Sequence, residues 1–161
     1  MSEKTQQNGV IKHWLQSNSN RTFILYPVII ILLEWLGIQG HMKLEIWGVP
    51  LLFWGYLQFR LCGNYRNRYG GGGPGLKNPP ERIVQTGIYA WTRNPMYLGH
   101  FIYITGLAIT FQSIPAILLL IFLLAWNQPR VRRDEERLKE LFGAEYEDYR
   151  QRVKRWIPGV F

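Results

Sequence analysis

The sequence predicts an all-α integral membrane protein with four transmembrane helices and a C-terminal amphipathic cytoplasmic helix. The last two spans form a tight helical hairpin over about residues 94–129. Three observations predict this. Charged residues cluster at the N-terminus, in the middle and at the C-terminus, so the mean hydropathy of -0.12 averages apolar spans with polar tails. From Asn94 to Pro129 there are 36 consecutive residues without Asp, Glu, Lys or Arg. Finally, 17 of the 19 basic residues fall in three segments that four spans would bring to one side.

A helix needs roughly 20 residues, at ~1.5 Å each, to cross a hydrocarbon core of ~30 Å. The first span lies between Arg21 and Lys43, where FILYPVIIILL is apolar and Glu34 is the only charge. The second runs from about Ile46 to Tyr65, with Arg60 near one end, where its long side chain can snorkel to the interface. One helix of 36 residues would overshoot the bilayer by about 20 Å, whereas two legs of about 18 residues each fit it. QSIP, Gln112 to Pro115, lies at the midpoint and supplies the turn.

Orientation follows from the excess of Lys and Arg on cytoplasmic segments. The tail 1–21 holds three basic residues, the loop 66–93 holds five, and the tail 130–161 holds nine. Both termini and the central loop are therefore expected on the cytoplasmic side of a cell membrane or endomembrane. The loop opens with YGGGGPG, which opposes regular helix and lacks the lysine and strand–helix context of a phosphate-binding loop. From Arg130 onward, Leu138, Leu141, Phe142, Tyr146, Tyr149 and Val153 recur at helical spacing, predicting one amphipathic helix that Pro158 stops.

Composition excludes several classes. The single cysteine, Cys62, permits neither an internal disulfide nor a metal-ligand cluster. The net charge of +8 does not imply nucleic acid, because the basic residues flank apolar spans and form no continuous stripe. The first 21 residues are polar and carry no signal-peptide pattern. The chain reads as one domain.

The hairpin begins and ends at one membrane face, so residues 93–97 and 128–136 are expected to be neighbours. Asp134 and Glu135 suit an ammonium or ribose hydroxyls, and Tyr89 and Tyr97 suit a purine or a cation. Arg93 suits a carboxylate, and Asn94-Pro95 at a helix start leaves backbone groups unpaired. These types permit a ligand such as S-adenosyl-L-methionine without specifying it. Each also has a plainer reading: Arg93 and Arg130 as interfacial anchors, the acidic triplet as a solvated helix face, Tyr146 and Tyr149 as packing residues. Glu34 inside a span is a functional candidate by default, although nearby Gly37 and Gln39 place it at the far interface. His100 reads as a packed, hydrogen-bonded residue.

GIYAWTRNPMYLG, a hairpin, and then EERLKELFGAEYEDYRQRVKRWIP together resemble the isoprenylcysteine carboxyl methyltransferases and their phospholipid methyltransferase relatives. The resemblance covers about residues 70–158, including the lead-in GGGGPGLKNPPERIVQTG. It implies an S-adenosyl-L-methionine site at Glu81, Arg82, Ile83, Val84 and Tyr89, continuing through Arg93, Asn94, Pro95, Met96 and Tyr97. It also implies paired acids at Asp134 and Glu135, with Glu136 one place beyond, and an acceptor-side arginine at Arg130. The implied partner is a lipophilic or lipid acceptor in the bilayer. The eukaryotic isoprenylcysteine enzymes carry histidine where this chain has Asn94, and they have more spans, so the resemblance leaves the acceptor open. Two other classes stand beside this reading: a membrane reductase using NADPH, disfavoured by the paired acids, and a non-enzymatic membrane scaffold.

Overall fold

The computed structural model describes Trp14 and residues 17–37, 43–72 and 79–156, and these form helices and turns without a strand. Helix α1 is a continuous run of Asn18–Asn20, a π-turn Arg21–Leu25, and Tyr26–Trp35. The π-turn has a local cause. Pro27 has no N–H and its ring crowds the carbonyl four residues back, at Phe23, and the wider turn relieves both.

A 3-10 turn, Ile46–Gly48, leads into α2, Val49–Gly70, whose 22 residues measure about 33 Å. After a second 3-10 turn, Gly87–Ala90, come α3, Pro95–Phe111, and α4, Ile114–Phe142, followed by a short α5, Ala144–Arg152. The N-terminal tail before Trp14, most of the glycine run (73–78) and the stop at Pro158 lie outside the described residues.

The neutral stretch does double back. Gln112 takes a left-handed conformation (φ 47°), and Ser113 caps α4 by accepting a hydrogen bond from the Ala116 N–H at 3.2 Å. The Ser113 hydroxyl, fully buried, donates in turn to Glu34 Oε1 at 2.6 Å. Glu34 thus sits at the far end as expected, but buried against the hairpin turn.

Glycines set how α2 and α3 meet. A Cβ at Gly55 would lie 2.6 Å from the Tyr103 backbone nitrogen, and one at Gly99 2.8 Å from the Gly55 carbonyl oxygen. One crossing further along, a Cβ on Gly106 would lie 2.8 Å from the Leu52 nitrogen. The two backbones therefore touch, the kind of contact small residues permit between helices in lipid. Beside it, Ile30, Phe101, Ile104, Leu107, Ala116 and Leu123 form the main apolar core. His100 packs between Phe23 and Phe59, with ring centroids 5.0 and 4.8 Å away.

Outside that core many large apolar side chains are exposed. Trp47 and Trp126 are 78% and 63% exposed, and Phe53, Leu118, Ile121 and Phe122 are each more than half exposed. Among the described residues α4 is the one helix both long and apolar enough by itself to cross a bilayer, and α3 is a shorter apolar helix.

The tail is not a single helix from Arg130. α4 runs through Pro129 to Phe142, and the break falls at Gly143, whose φ of 53° suits glycine. Pro129 removes one backbone bond without ending the helix, whereas the left-handed glycine reverses the chain. The 29 residues of α4 span about 43 Å, so its last third projects beyond an apolar layer of ~30 Å.

Candidate active site

That projecting end of α4 faces the loop before α3. The loop is fixed first to the end of α2, where Glu81 N–H and Arg82 N–H both donate to the Gly70 carbonyl, at 2.7 and 3.2 Å. Gly71 and Gly87 turn the chain with positive φ, and the Tyr65 ring would lie 3.0 Å from a Cβ on Gly87. Tyr65 and Thr86 hydroxyls pair at 2.8 Å. Gln85 ties the loop to α5, accepting from Arg152 Nη2 at 2.6 Å and donating to Glu145 at 3.1 Å.

Tyr89 is buried at the loop's centre. Its hydroxyl donates to the Cys62 carbonyl at 3.4 Å, and its own carbonyl accepts from Tyr149 Oη at 2.7 Å. Burial raises both phenols above their ordinary range, and raises Tyr146 to about 12, so all three stay neutral.

The segment after α5 then straps the start of α3. Arg93 N–H donates to the Lys154 carbonyl at 3.0 Å, and Thr92 Oγ1 to the Arg155 carbonyl at 3.0 Å. Asn94 Nδ2 lies 3.4 Å from both the Arg155 carbonyl and Glu135 Oε1. Arg155 grips Glu135 with Nε at 3.1 and 3.2 Å and Nη2 at 2.6 Å. Arg93 Nη2 approaches the same carboxylate at 3.4 Å. One turn along α3, Tyr97 Oη donates to Asp134 Oδ2 at 3.3 Å, with Arg130 close enough to act on Asp134 by charge. The two ends of the hairpin therefore meet through named side chains.

Between them lies a chamber lined by Arg66, Arg82, Ile83, Val84, Tyr89, Arg93, Asn94, Asp134 and Glu135, with Leu138, Tyr146 and Tyr149 as its α4–α5 wall. Most of the residues nominated from sequence converge here. Five do not line it. Glu81 is exposed beside Gly71, Pro95 gives its carbonyl to Gln58 Nε2 at 2.9 Å, and Met96 packs against Cys62, Val84 and Tyr89. Tyr97 reaches the site through Asp134, Arg130 is exposed at its edge, and Glu136 points outward.

Sequence reasoning missed Arg66, Leu138 and Arg155 and gave Tyr146 and Tyr149 packing roles. The tyrosines do pack, with Val153, and in packing become the wall. Arg155 was hidden in a basic run that reads as an interfacial anchor.

The chamber has one unmet demand. Arg93 meets Glu135 through Nη2 and its side chain also reaches the Tyr146 hydroxyl, while the buried Nε and Nη1 have no partner of good geometry, because Glu135 is held mainly by Arg155. A buried guanidinium with spare donors asks for an anion. Among the described residues no cluster of His, Cys, Asp and Glu could hold a metal.

Known proteins similar to this chain are methyltransferases. Protein-S-isoprenylcysteine O-methyltransferase of Saccharomyces cerevisiae is 37% identical over 86 residues, covering 52% of this chain and 36% of the yeast protein. The enzymes of the same name from Mus musculus and Homo sapiens are 33% and 32% identical over 86 residues, covering 52% of this chain and 30% of each of theirs. The chain thus matches about a third of the length of these relatives. A solved structure of the eukaryotic intramembrane Ras methyltransferase, isoprenylcysteine carboxyl methyltransferase, superposes with a TM-score of 0.55 at 21% identity, over 99% of this chain and 55% of that one. That likeness establishes a shared fold. The phospholipid methyltransferase profile matches residues 23–145, most of the chain and both ends of the hairpin, and on that match the chain belongs to the phospholipid methyltransferase family.

Proposed function

We propose that this chain transfers a methyl group from S-adenosyl-L-methionine to a membrane-embedded or lipophilic acceptor. That acceptor is a carboxylate of the isoprenylcysteine type or a phospholipid headgroup amine. The observation that carries the reading is the meeting of Arg93 and Asn94 with Asp134 and Glu135 in one chamber at the polar end of the hairpin, with Tyr97 bonded to Asp134 beside it. The proposed topology is four spans, α1, α2, α3 and the apolar part of α4, with both termini, the loop and α5 cytoplasmic.

The donor set fits the cofactor. Arg93 would hold its carboxylate with the two nitrogens that lack partners. Tyr89, Val84 and Ile83 would line its purine, and Asp134 its ammonium or ribose hydroxyls. When bound, the cofactor supplies a methyl carbon already activated by sulfonium. The protein's share is alignment and exclusion of water, worth roughly 7–11 kcal/mol from proximity alone. Arg130, at the edge beside Asp134, would orient a carboxylate acceptor, which needs no general base. The chamber is about 80 Å³, below the ~300–1,000 Å³ of a ligand pocket, so binding would swing the exposed Arg82 outward.

One observation favours a second reading. Arg66, Arg82 and Arg93 all line the chamber and Glu135 is already paired, so a phosphate-bearing dinucleotide such as NADPH has cations to meet. Calorimetry on the purified protein in detergent separates the two. Micromolar binding of S-adenosylhomocysteine supports methyl transfer, whereas NADPH binding in its place, or no binding of either, overturns it. Radiolabelled methyl transfer into membrane extracts would then identify the acceptor.

A further inference from the structure

Ile88, next to Tyr89, lines a second and larger cavity outside the chamber. It is a groove of about 440 Å³ along α2 from Trp54 through Leu61 and Cys62 to Tyr69, within the ~300–1,000 Å³ of ligand sites. Its residues fall at three- and four-residue spacing, so they share one helix face, and the 15 steps from Trp54 to Tyr69 measure roughly 22 Å. The groove is graded. Trp54 and Leu61 make one end apolar, while Asn64 and Arg68 make the other polar.

Charge indicates what occupies it. Arg68 is exposed, makes no ion pair among the described residues, and rests its guanidinium 5.6 Å from the Tyr69 ring, alongside the groove. From Ile46 to Pro80 the sequence has no acidic residue. No carboxylate lines the groove, so the cation of a zwitterionic headgroup gains no ion pair there, whereas a headgroup with net negative charge meets Arg68.

We propose that this groove binds one anionic glycerophospholipid of the cytoplasmic leaflet. An acyl chain lies along Trp54 and Leu61, and the phosphate sits against Arg68 and Asn64. The inference rests on the topology above, which puts the Arg68 end at the interface. It is independent of methyl transfer, so lipid retention reads it whether or not the cofactor assignment stands.

Native mass spectrometry of the detergent-purified protein, given equal amounts of phosphatidylglycerol and phosphatidylcholine, tests it. The expected result is a single retained lipid with phosphatidylglycerol preferred, and a roughly fivefold fall in that preference in Arg68→Gln. Arg60→Gln, on the same helix but outside the groove, keeps the preference. Leu61→Trp, which fills the groove, loses retention of both lipids while circular dichroism shows the helices intact. Equal retention of the two lipids by the unmodified protein, an unchanged preference in Arg68→Gln, or a lipid-free dimer seated on this face would overturn the proposal.

Discussion

Arg93 and Arg155 share one carboxylate but have different tasks. Arg155 makes the short contacts to Glu135 and is its clamp, whereas Arg93 keeps two buried nitrogens unpaired. Arg93→Ala is therefore expected to weaken S-adenosylhomocysteine binding by roughly 10- to 100-fold, the range for losing a charged hydrogen bond. Its thermal midpoint should change little, because Glu135 remains paired. Glu135→Ala is expected to weaken binding too, and also to lower the midpoint, since it leaves two arginines facing each other without a counter-charge. Calorimetry together with thermal unfolding separates the two patterns, and unchanged affinity in both variants would remove the site assignment. At the far end, Glu34→Ala is expected to cost about 1–3 kcal/mol, because the buried Ser113 hydroxyl loses its acceptor.

The hairpin was the most legible element. A run without charge too long for one span leaves the chain few options, and QSIP marked the reversal that Gln112 and Ser113 make. The tail was less legible. Its apolar residues keep helical spacing across Gly143, and periodicity does not register one left-handed residue. The sequence reading also counted Asp134 and Glu135 as a pair of acids available to a cation. The fold leaves only Asp134, because Arg155 arrives from a segment twenty residues later. Likewise the spacing of Gly55 and Gly99 says nothing alone, since it becomes a contact only once α2 and α3 are side by side. Gly55→Ala places a methyl against the Tyr103 nitrogen, so about 1–3 kcal/mol of destabilisation is expected from thermal unfolding. Because Arg93 lies two residues before α3, cofactor affinity should fall with it.

At the scale of the molecule, the chamber closes only when the chain's last described segment returns to the start of α3. Truncation after Arg152 removes the carbonyls that hold Thr92 and Arg93, together with the clamp on Glu135. It is expected to abolish detectable cofactor binding while α1–α4 remain helical by circular dichroism. The topology has its own check in a Cys62→Ser background. Cysteine placed at Asp148 is expected to react with an impermeant reagent only from the cytoplasmic side, and cysteine at Lys43 only from the opposite side. Labelling of both positions from one side would refute the four-span arrangement.

α4 carries the exposed apolar residues Leu118, Ile121 and Phe122 and, without interruption, Asp134 and Glu135. A rigid rod anchored by its greasy portion lifts its acids higher or lower as the surrounding sheet of lipid thins or thickens. Turnover in reconstituted vesicles should then peak at one acyl-chain length and decline on either side of it, making the bilayer's own dimension a setting of the catalyst.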